Sequence, residues 1–259
     1  MSFQILGTGS FLPEKVITNE ELSKMVDTSD EWITKRVGVK ERHVCTTESN
    51  TDMAAEAAAR ALESAGVDAP ELDLIIGTSV SADSISPGLA SMVQKRLGAK
   101  CPAFDINAAC PGFLFGLEIA AGFFSRDTVK KVLVVSSERM SGLIDWTDRS
   151  TCCIFGDGAG AVVLGVGDSY LASELHTQGG DDVIDIPTGW NNSPFYQVEQ
   201  KKNCVFMKGQ DTYKFAVTSM VNDIRSVMEQ AGVSGEQVSA VIPHQANLRI
   251  ISEASRRLP

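Results

Sequence analysis

Strand-length apolar runs alternate with helix-period segments along the chain, and no other feature narrows the fold as much. Leu74-Ile75-Ile76-Gly77-Thr78, Ala103-Phe104-Asp105-Ile106 and Val132-Leu133-Val134-Val135 predict strands buried on both faces, because a half-solvated strand would alternate apolar with polar residues. Between them, residues 51–65 form an alanine-rich helix ending at Gly66, residues 88–97 a second ending at Gly98, and a third starts near Pro111. Thr28-Ser29-Asp30-Glu31 has the capping-box pattern and opens a short helix that stops at Gly38. Strands are expected over 161–164 and 170–176, after Gly156-Asp157-Gly158-Ala159-Gly160, and residues 179–203 read as a surface excursion. A helix over 210–231, a strand over 240–243 and a helix over 246–258 follow. The expected architecture is a layered α/β fold in two halves, 1–165 and 166–259. The second half repeats the opening of the first and stops early, so the chain reads as cut short.

Composition supports such a core. The 259 residues are 43% hydrophobic and 22% charged, which excludes a mainly disordered or coiled-coil chain. Thirty-three acidic against 23 basic residues give a net charge of -10, which disfavours broad nucleic-acid or anionic-membrane binding. No apolar run approaches the roughly 20 residues of a membrane span, and the first residues lack the basic start and apolar stretch of an export signal. A cytoplasmic location is therefore expected. The six cysteines show no Cys-x-x-Cys spacing and read as thiols rather than metal ligands. Adjacent Cys152 and Cys153 are expected to point to opposite faces of a strand.

Cys110 is set apart by its neighbours. It follows a strand and precedes Pro111-Gly112 at the start of an almost wholly apolar helix, where helix N–H groups and the macrodipole favour a thiolate. A nucleophile on a strand-to-helix turn suits covalent catalysis; the plainer alternative is a buried structural cysteine. His244 follows the strand expected at 240–243, at the carboxyl end where α/β crevices form, and there can donate to a developing oxyanion or accept a proton. Trp32 and Arg36 lie four residues apart on one helix face. With Arg149 they suit a purine and phosphate, although on spacing alone a core tryptophan and two solvated arginines explain them better. Arg249 and Arg256 share a face of the last helix. With Arg257 and Lys214 they form a basic stripe for an acidic partner, or an ordinary solvated surface. The glycine-rich stretch at 156–160 precedes a strand rather than a helix, which argues against a dinucleotide site. It is read as close backbone packing, with Asp157 as a turn-capping acid.

Three segments together resemble one family. They are Asp30-Glu31-Trp32-Ile33-Thr34-Lys35-Arg36-Val37-Gly38-Val39-Lys40-Glu41-Arg42, Phe155-Gly156-Asp157-Gly158-Ala159-Gly160-Ala161 and Pro243-His244-Gln245-Ala246-Asn247-Leu248-Arg249-Ile250-Ile251. In this order they resemble the beta-ketoacyl-acyl-carrier-protein synthase III family of thiolase-fold condensing enzymes. The resemblance implies a layered α-β-α-β-α fold with two pseudo-duplicated halves, the second incomplete here. It implies that Cys110 is acylated by an acyl-CoA primer and that His244 serves decarboxylation of malonyl-acyl-carrier protein. Trp32, Arg36 and Arg149 would flank the CoA nucleotide. Thr28, Ile154, Phe155, Met207, Gly209, Tyr213, Ala246, Asn247 and Ile250 would line the pantetheine tunnel. Gln245, Ala246, Asn247, Leu248 and Arg249 would dock the carrier protein, with Lys214, Arg256 and Arg257 beside them. The enzyme would be a homodimer without a metal or redox cofactor, acyl-CoA being a substrate.

The resemblance also implies an asparagine partner for His244 that this chain does not contain, with about 70 residues missing from a two-fold repeat. Little condensation activity is then expected, since loss of one oxyanion donor costs roughly 100- to 1000-fold in rate. Two further readings remain open: a related cysteine acyltransferase of specialised metabolism, and an inactive fragment that keeps CoA or carrier binding.

Overall fold

A computed structural model describes residues 2–188, 193–199 and 201–258. The chain runs β1 (Ser2–Phe11), β2 (Val16–Thr18), α1 (Asn19–Ser23), α2 (Asp30–Arg36), β3 (Glu41–His43), α3 (Asn50–Ala65), β4 (Leu74–Thr78), α4 (Leu89–Leu97) and β5 (Ala103–Ile106). It continues with α5 (Gly112–Phe123), β6 (Lys131–Arg139), α6 (Arg149–Cys152), β7 (Asp157–Gly167), β8 (Ile184–Asp185), β9 (Phe206–Met207), α7 (Gly209–Ala231) and α8 (Leu248–Arg257). Five strands form one mixed sheet in the order β1-β7-β6-β4-β5. The β5-β4-β6 pairs are parallel, and β7 returns antiparallel between β6 and β1.

Strand pleating divides the core between the two faces of this sheet. Ile75, Leu133 and Val135 face α3 and α4, packing with Met53, Ala57, Ala61, Leu89 and Val93. Their chain neighbours Ile76, Val132 and Val134 face the other way, with Ala120 and Phe124 at the α5 layer. Side chains alternate across a strand, so one continuous apolar run supplies both cores. The alanines of α3 serve close approach. A side chain on Gly7 or Gly9 of β1 would run into the α3 backbone at Ala57, Ala61 and Ala65. Glycine on the strand and alanine on the helix let the two layers touch.

A third cluster positions the site. Leu22 of α1, Ile33 of α2, Val37, Ile144 and the pair Cys152 and Cys153 are buried together, with Trp32, Ile154 and Phe155 packed around them. Arg42 lies buried behind it, donating from Nη2 to the Cys153 carbonyl at 3.1 Å and to Asn19 Oδ1 at 2.8 Å.

Several expectations need correction. Residues 170–176 and 240–243 form no strand; neither stretch pairs in a sheet among the described residues. Their apolar character is real, with Leu171 and Ile242 exposed, but a strand also needs a neighbouring backbone to bond. Cys152 and Cys153 sit at the end of α6, not in a strand, and both are fully buried. The glycine-rich stretch does not precede a strand; from Asp157 onward it is part of β7. The cap of α2 is Ser29 rather than Thr28, Ser29 Oγ accepting from Trp32 N–H at 3.1 Å. Helix α8 starts at Leu248, two residues later than expected, and Pro111 is the N-cap of α5 rather than its first residue. Residues 189–192 and 200 of the expected surface excursion lie outside the described residues. Within the rest of it lies β8, which pairs antiparallel with β9 just beyond its end.

Candidate active site

Cys110 occupies the turn between β5 and α5 and is exposed. Two features make the turn sharp. Ala109 takes φ 50°, a left-handed conformation that costs a β-carbon-bearing residue free energy, and Gly112 N–H donates back to the Ala109 carbonyl at 2.9 Å. Asn107 Oδ1 accepts from Ala109 N–H at 3.3 Å and holds the approach from β5. Gly112 is packed against the Thr78 side chain at the end of β4, leaving no room for a Cβ. The thiol does not follow the simple helix-dipole expectation. Although solvent reaches it, its packed surroundings push it up from the ordinary 9.0; a backbone hydrogen bond lowers it and the nearby Glu138 charge raises it again.

His244 lies in an irregular segment before α8, not at a strand end. Although the residue is exposed, the protein around its ring strips away part of its water and lowers the imidazole below its ordinary 6.5, so the neutral form, able to donate or accept, prevails near neutral pH. No hydrogen bond joins His244 to Cys110 among the described residues.

The segment after His244 is fastened to α2. Asn247 Nδ2 donates to the Arg36 carbonyl at 3.0 Å, and Leu248 N–H donates to the Val37 carbonyl at 2.9 Å. Asn247 Oδ1 also caps α8 by accepting from Arg249 N–H at 2.8 Å. Gly38, at φ 93°, is the residue that permits this approach, since a Cβ there would strike the Leu248 side chain. Two of the segments singled out in the sequence, more than 200 positions apart, thus form one surface.

The Arg149 guanidinium lies 5.1 Å from the Trp32 ring centroid, in cation–π geometry, while its Nη1 donates to the Asp27 carbonyl at 2.9 Å. Arg36 is exposed on the same helix. Ile154 and Phe155 join Trp32 in the third cluster. The Thr28 hydroxyl is buried and has no hydrogen-bond partner among the described residues. Met207 is half-buried beside Val205, whose N–H donates to the Leu143 carbonyl at 2.8 Å. Gly209 opens α7 with empty space above it. Tyr213 of α7 carries the Arg249 guanidinium 5.4 Å from its ring centroid. Ala246 is half-buried and Ile250 buried, whereas Gln245 and Lys214 are exposed. Arg256 and Arg257 pair with Glu253 on their own helix, at 3.6 and 2.8 Å, so the basic stripe is partly neutralised from within. The two acidic residues that sequence reading missed or undervalued are Glu138, near the end of β6 and held by donors at 79–81, and Asp157. Asp157 is buried and accepts from Cys45 N–H, Ser141 N–H and Ser141 Oγ at 2.6 to 2.8 Å, which locks two loops to the start of β7.

Residues 104–179 match the family model described as 3-oxoacyl-[acyl-carrier-protein] synthase III. A beta-ketoacyl-[acyl-carrier-protein] synthase III of Clostridium acetobutylicum is 44% identical over 99% of this chain and 81% of its own length. The enzyme of the same description from Aquifex aeolicus is 44% identical over 100% of this chain and 81% of its own. The crystal structure of 3-oxoacyl-[acyl-carrier-protein] synthase III from Aquifex aeolicus superposes with a TM-score of 0.90 at 43% identity, covering 100% of this chain and 82% of that one.

Proposed function

The chain belongs to the 3-oxoacyl-[acyl-carrier-protein] synthase III family of condensing acyltransferases, with their thiolase-like mixed α/β fold, and on that premise we propose that it starts fatty acid chains through Cys110. The observation that carries the proposal is an exposed thiol on a strained strand-to-helix turn, in a chain that aligns with a member of this family over 99% of its own length and 81% of the relative's.

Cys110 Sγ attacks the thioester carbonyl of an acyl-CoA primer and CoA leaves as the thiol. Exchange between similar thiols needs no strong external base. Malonyl-acyl-carrier protein then loses carbon dioxide, and the neutral His244 imidazole donates to the enolate oxygen that develops. The enolate carbon attacks the Cys110 thioester, giving 3-oxoacyl-acyl-carrier protein and the free thiol. No step calls for a metal or a redox cofactor; acyl-CoA enters as a substrate.

Trp32, Arg149 and Arg36 are assigned to the CoA nucleotide, an assignment supported by the stacked indole and guanidinium. The pantetheine arm is assigned to Thr28, Ile154, Phe155, Met207, Gly209, Tyr213, Ala246, Asn247 and Ile250, and the unsatisfied Thr28 hydroxyl is a ready partner for one of its amides. Carrier docking is assigned to residues 245–249 with Lys214, Arg256 and Arg257. The chain is read as a cytoplasmic homodimer joined along the open edge of β5, with 1–165 and 166–259 as its two halves. No helix among the described residues is long and apolar enough to cross a membrane.

The test is covalent labelling. Incubation with radiolabelled acetyl-CoA, followed by peptide mapping, should place the label on Cys110, and Cys110→Ala should abolish it. Label retained by that variant, or found elsewhere, overturns the proposal.

A further inference from the structure

Arg42 of β3 is the one buried cation among the described residues, 3% exposed, and the proposed reaction gives it no role. Its hydrogen-bond acceptors are all neutral. Nη1 donates to the Ile17 carbonyl at 3.1 Å, and Nη2 donates to Asn19 Oδ1 at 2.8 Å and to the Cys153 carbonyl at 3.1 Å. Nε is buried too and has no partner among the described residues. Burial weakens the hold of this guanidinium on its proton, yet at neutral pH it stays charged. Taking a charge out of water without a counter-ion is costly, and an apolar side chain of similar size would avoid that cost. It would not, however, bridge three separate segments.

The arms of the fork lead to the two walls assigned to the CoA nucleotide. On one side Asn19, 1% exposed, carries the connection to α2. Its Nδ2 donates to Asp30 Oδ1 at 2.8 Å and to the Val39 carbonyl at 2.8 Å. Asp30 is the first residue of α2 and Val39 lies shortly after its last, so Asn19 grips this helix at both ends, and the helix carries Trp32 and Arg36. On the other side Cys153 closes α6, whose first residue is Arg149. Strand β3 also presses on the segment that follows, since a Cβ on Gly156 would come within 2.9 Å of the His43 carbonyl oxygen and 3.1 Å of the Arg42 Cβ.

The two walls meet again nearer solvent. There the Arg149 guanidinium lies 5.1 Å from the Trp32 ring centroid, and its Nη1 donates to the Asp27 carbonyl at 2.9 Å. The indole and the guanidinium that would grip a nucleotide thus stand on two different helices, tied together in the interior through one side chain.

We propose that Arg42 is a positioning residue for nucleotide binding, a buried fork that sets the separation of Trp32 from Arg149 and with it the slot for the adenine nucleotide of an acyl-CoA. This rests on the assignment of Trp32 and Arg149 to that nucleotide. The planar guanidinium is what the role demands, because a lysine keeps the charge but replaces the fork with a single ammonium.

The experiment is a double-mutant cycle in CoA affinity, read by calorimetric titration of the folded chain with free CoA. Arg42→Lys should weaken CoA binding about tenfold, the scale of one lost hydrogen bond to a charged group. Asn19→Ala cuts the link to α2 and leaves the Cys153 bond in place. It should weaken CoA binding in the same direction, which covers the case in which Arg42→Lys does not fold. Trp32→Ala should weaken binding by itself. In that background either substitution should cost less than about twofold more, because no ring remains to be positioned. Gly9→Val, which strains the β1–α3 contact outside this network, should leave CoA affinity unchanged and so separates positioning from lost stability. Unchanged CoA affinity in either folded variant, Arg42→Lys or Asn19→Ala, overturns the proposal. A tenfold loss that persists in the Trp32→Ala background does the same, as does equal weakening in Gly9→Val. Undiminished affinity in Trp32→Ala strikes instead the assignment of the nucleotide to this pair, so the two failures give different results.

Discussion

At the scale of single residues, His244 gives a direct pH prediction. Desolvation lowers its imidazole below 6.5, so an NMR titration of the ring should find its midpoint on the acid side of that value. Between the ordinary value and the lower folded one, the unfolded chain binds the extra proton, and folding weakens as pH falls through that window. Replacing His244 by Gln should remove this increment from the pH dependence of urea unfolding. The unusual setting of Cys110 was legible because Pro111 and Gly112 announce a helix start directly after a strand. Its acidity was not, because the packed surroundings that push the thiol up are assembled from segments remote in the chain. Thr28 shows the same limit: hydroxyl spacing predicts a cap, but only packing decides that Ser29 takes it and Thr28 is left with an unpaired buried oxygen.

At the scale of elements, the contact of β1 with α3 tolerates no added atoms. Gly9→Val places a branched side chain against the helix backbone at Ala57 and Ala61, and overpacking of this kind costs typically 1–3 kcal/mol. Urea unfolding should show a lower midpoint at unchanged slope. The join between α8 and α2 is the second pressure point. Asn247→Ala loses the α8 cap and the bond to the Arg36 carbonyl together; the cap alone is worth about 0.5–2 kcal/mol. The same denaturation assay should register that loss, and acetyl-CoA labelling should require more substrate for half-saturation. Long apolar runs and helix stops were legible because each reports its own burial and its own termination. The segments 170–176 and 240–243 misled because an apolar alternation tells which faces a strand would have, not whether another backbone lies within bonding distance.

At the scale of the whole molecule, a net charge of -10 opposes the approach of any acidic carrier, so docking has to rely on a local positive patch. Arg249 is stacked on Tyr213, whereas Arg256 and Arg257 are partly spent on Glu253. Arg249→Glu should cut the carrier association rate at low salt and flatten its dependence on ionic strength, as read by stopped-flow titration. Sedimentation of the chain should give a species near twice its 27.8 kDa if the β5 edge is the subunit contact. The clasp between the His244 segment and α2 is built largely from main-chain carbonyls. Side chains on the outward surface of that helix are thereby released from any duty in holding the molecule shut. They are free to be repainted for a different guest while the two remote stretches stay buttoned in the same place.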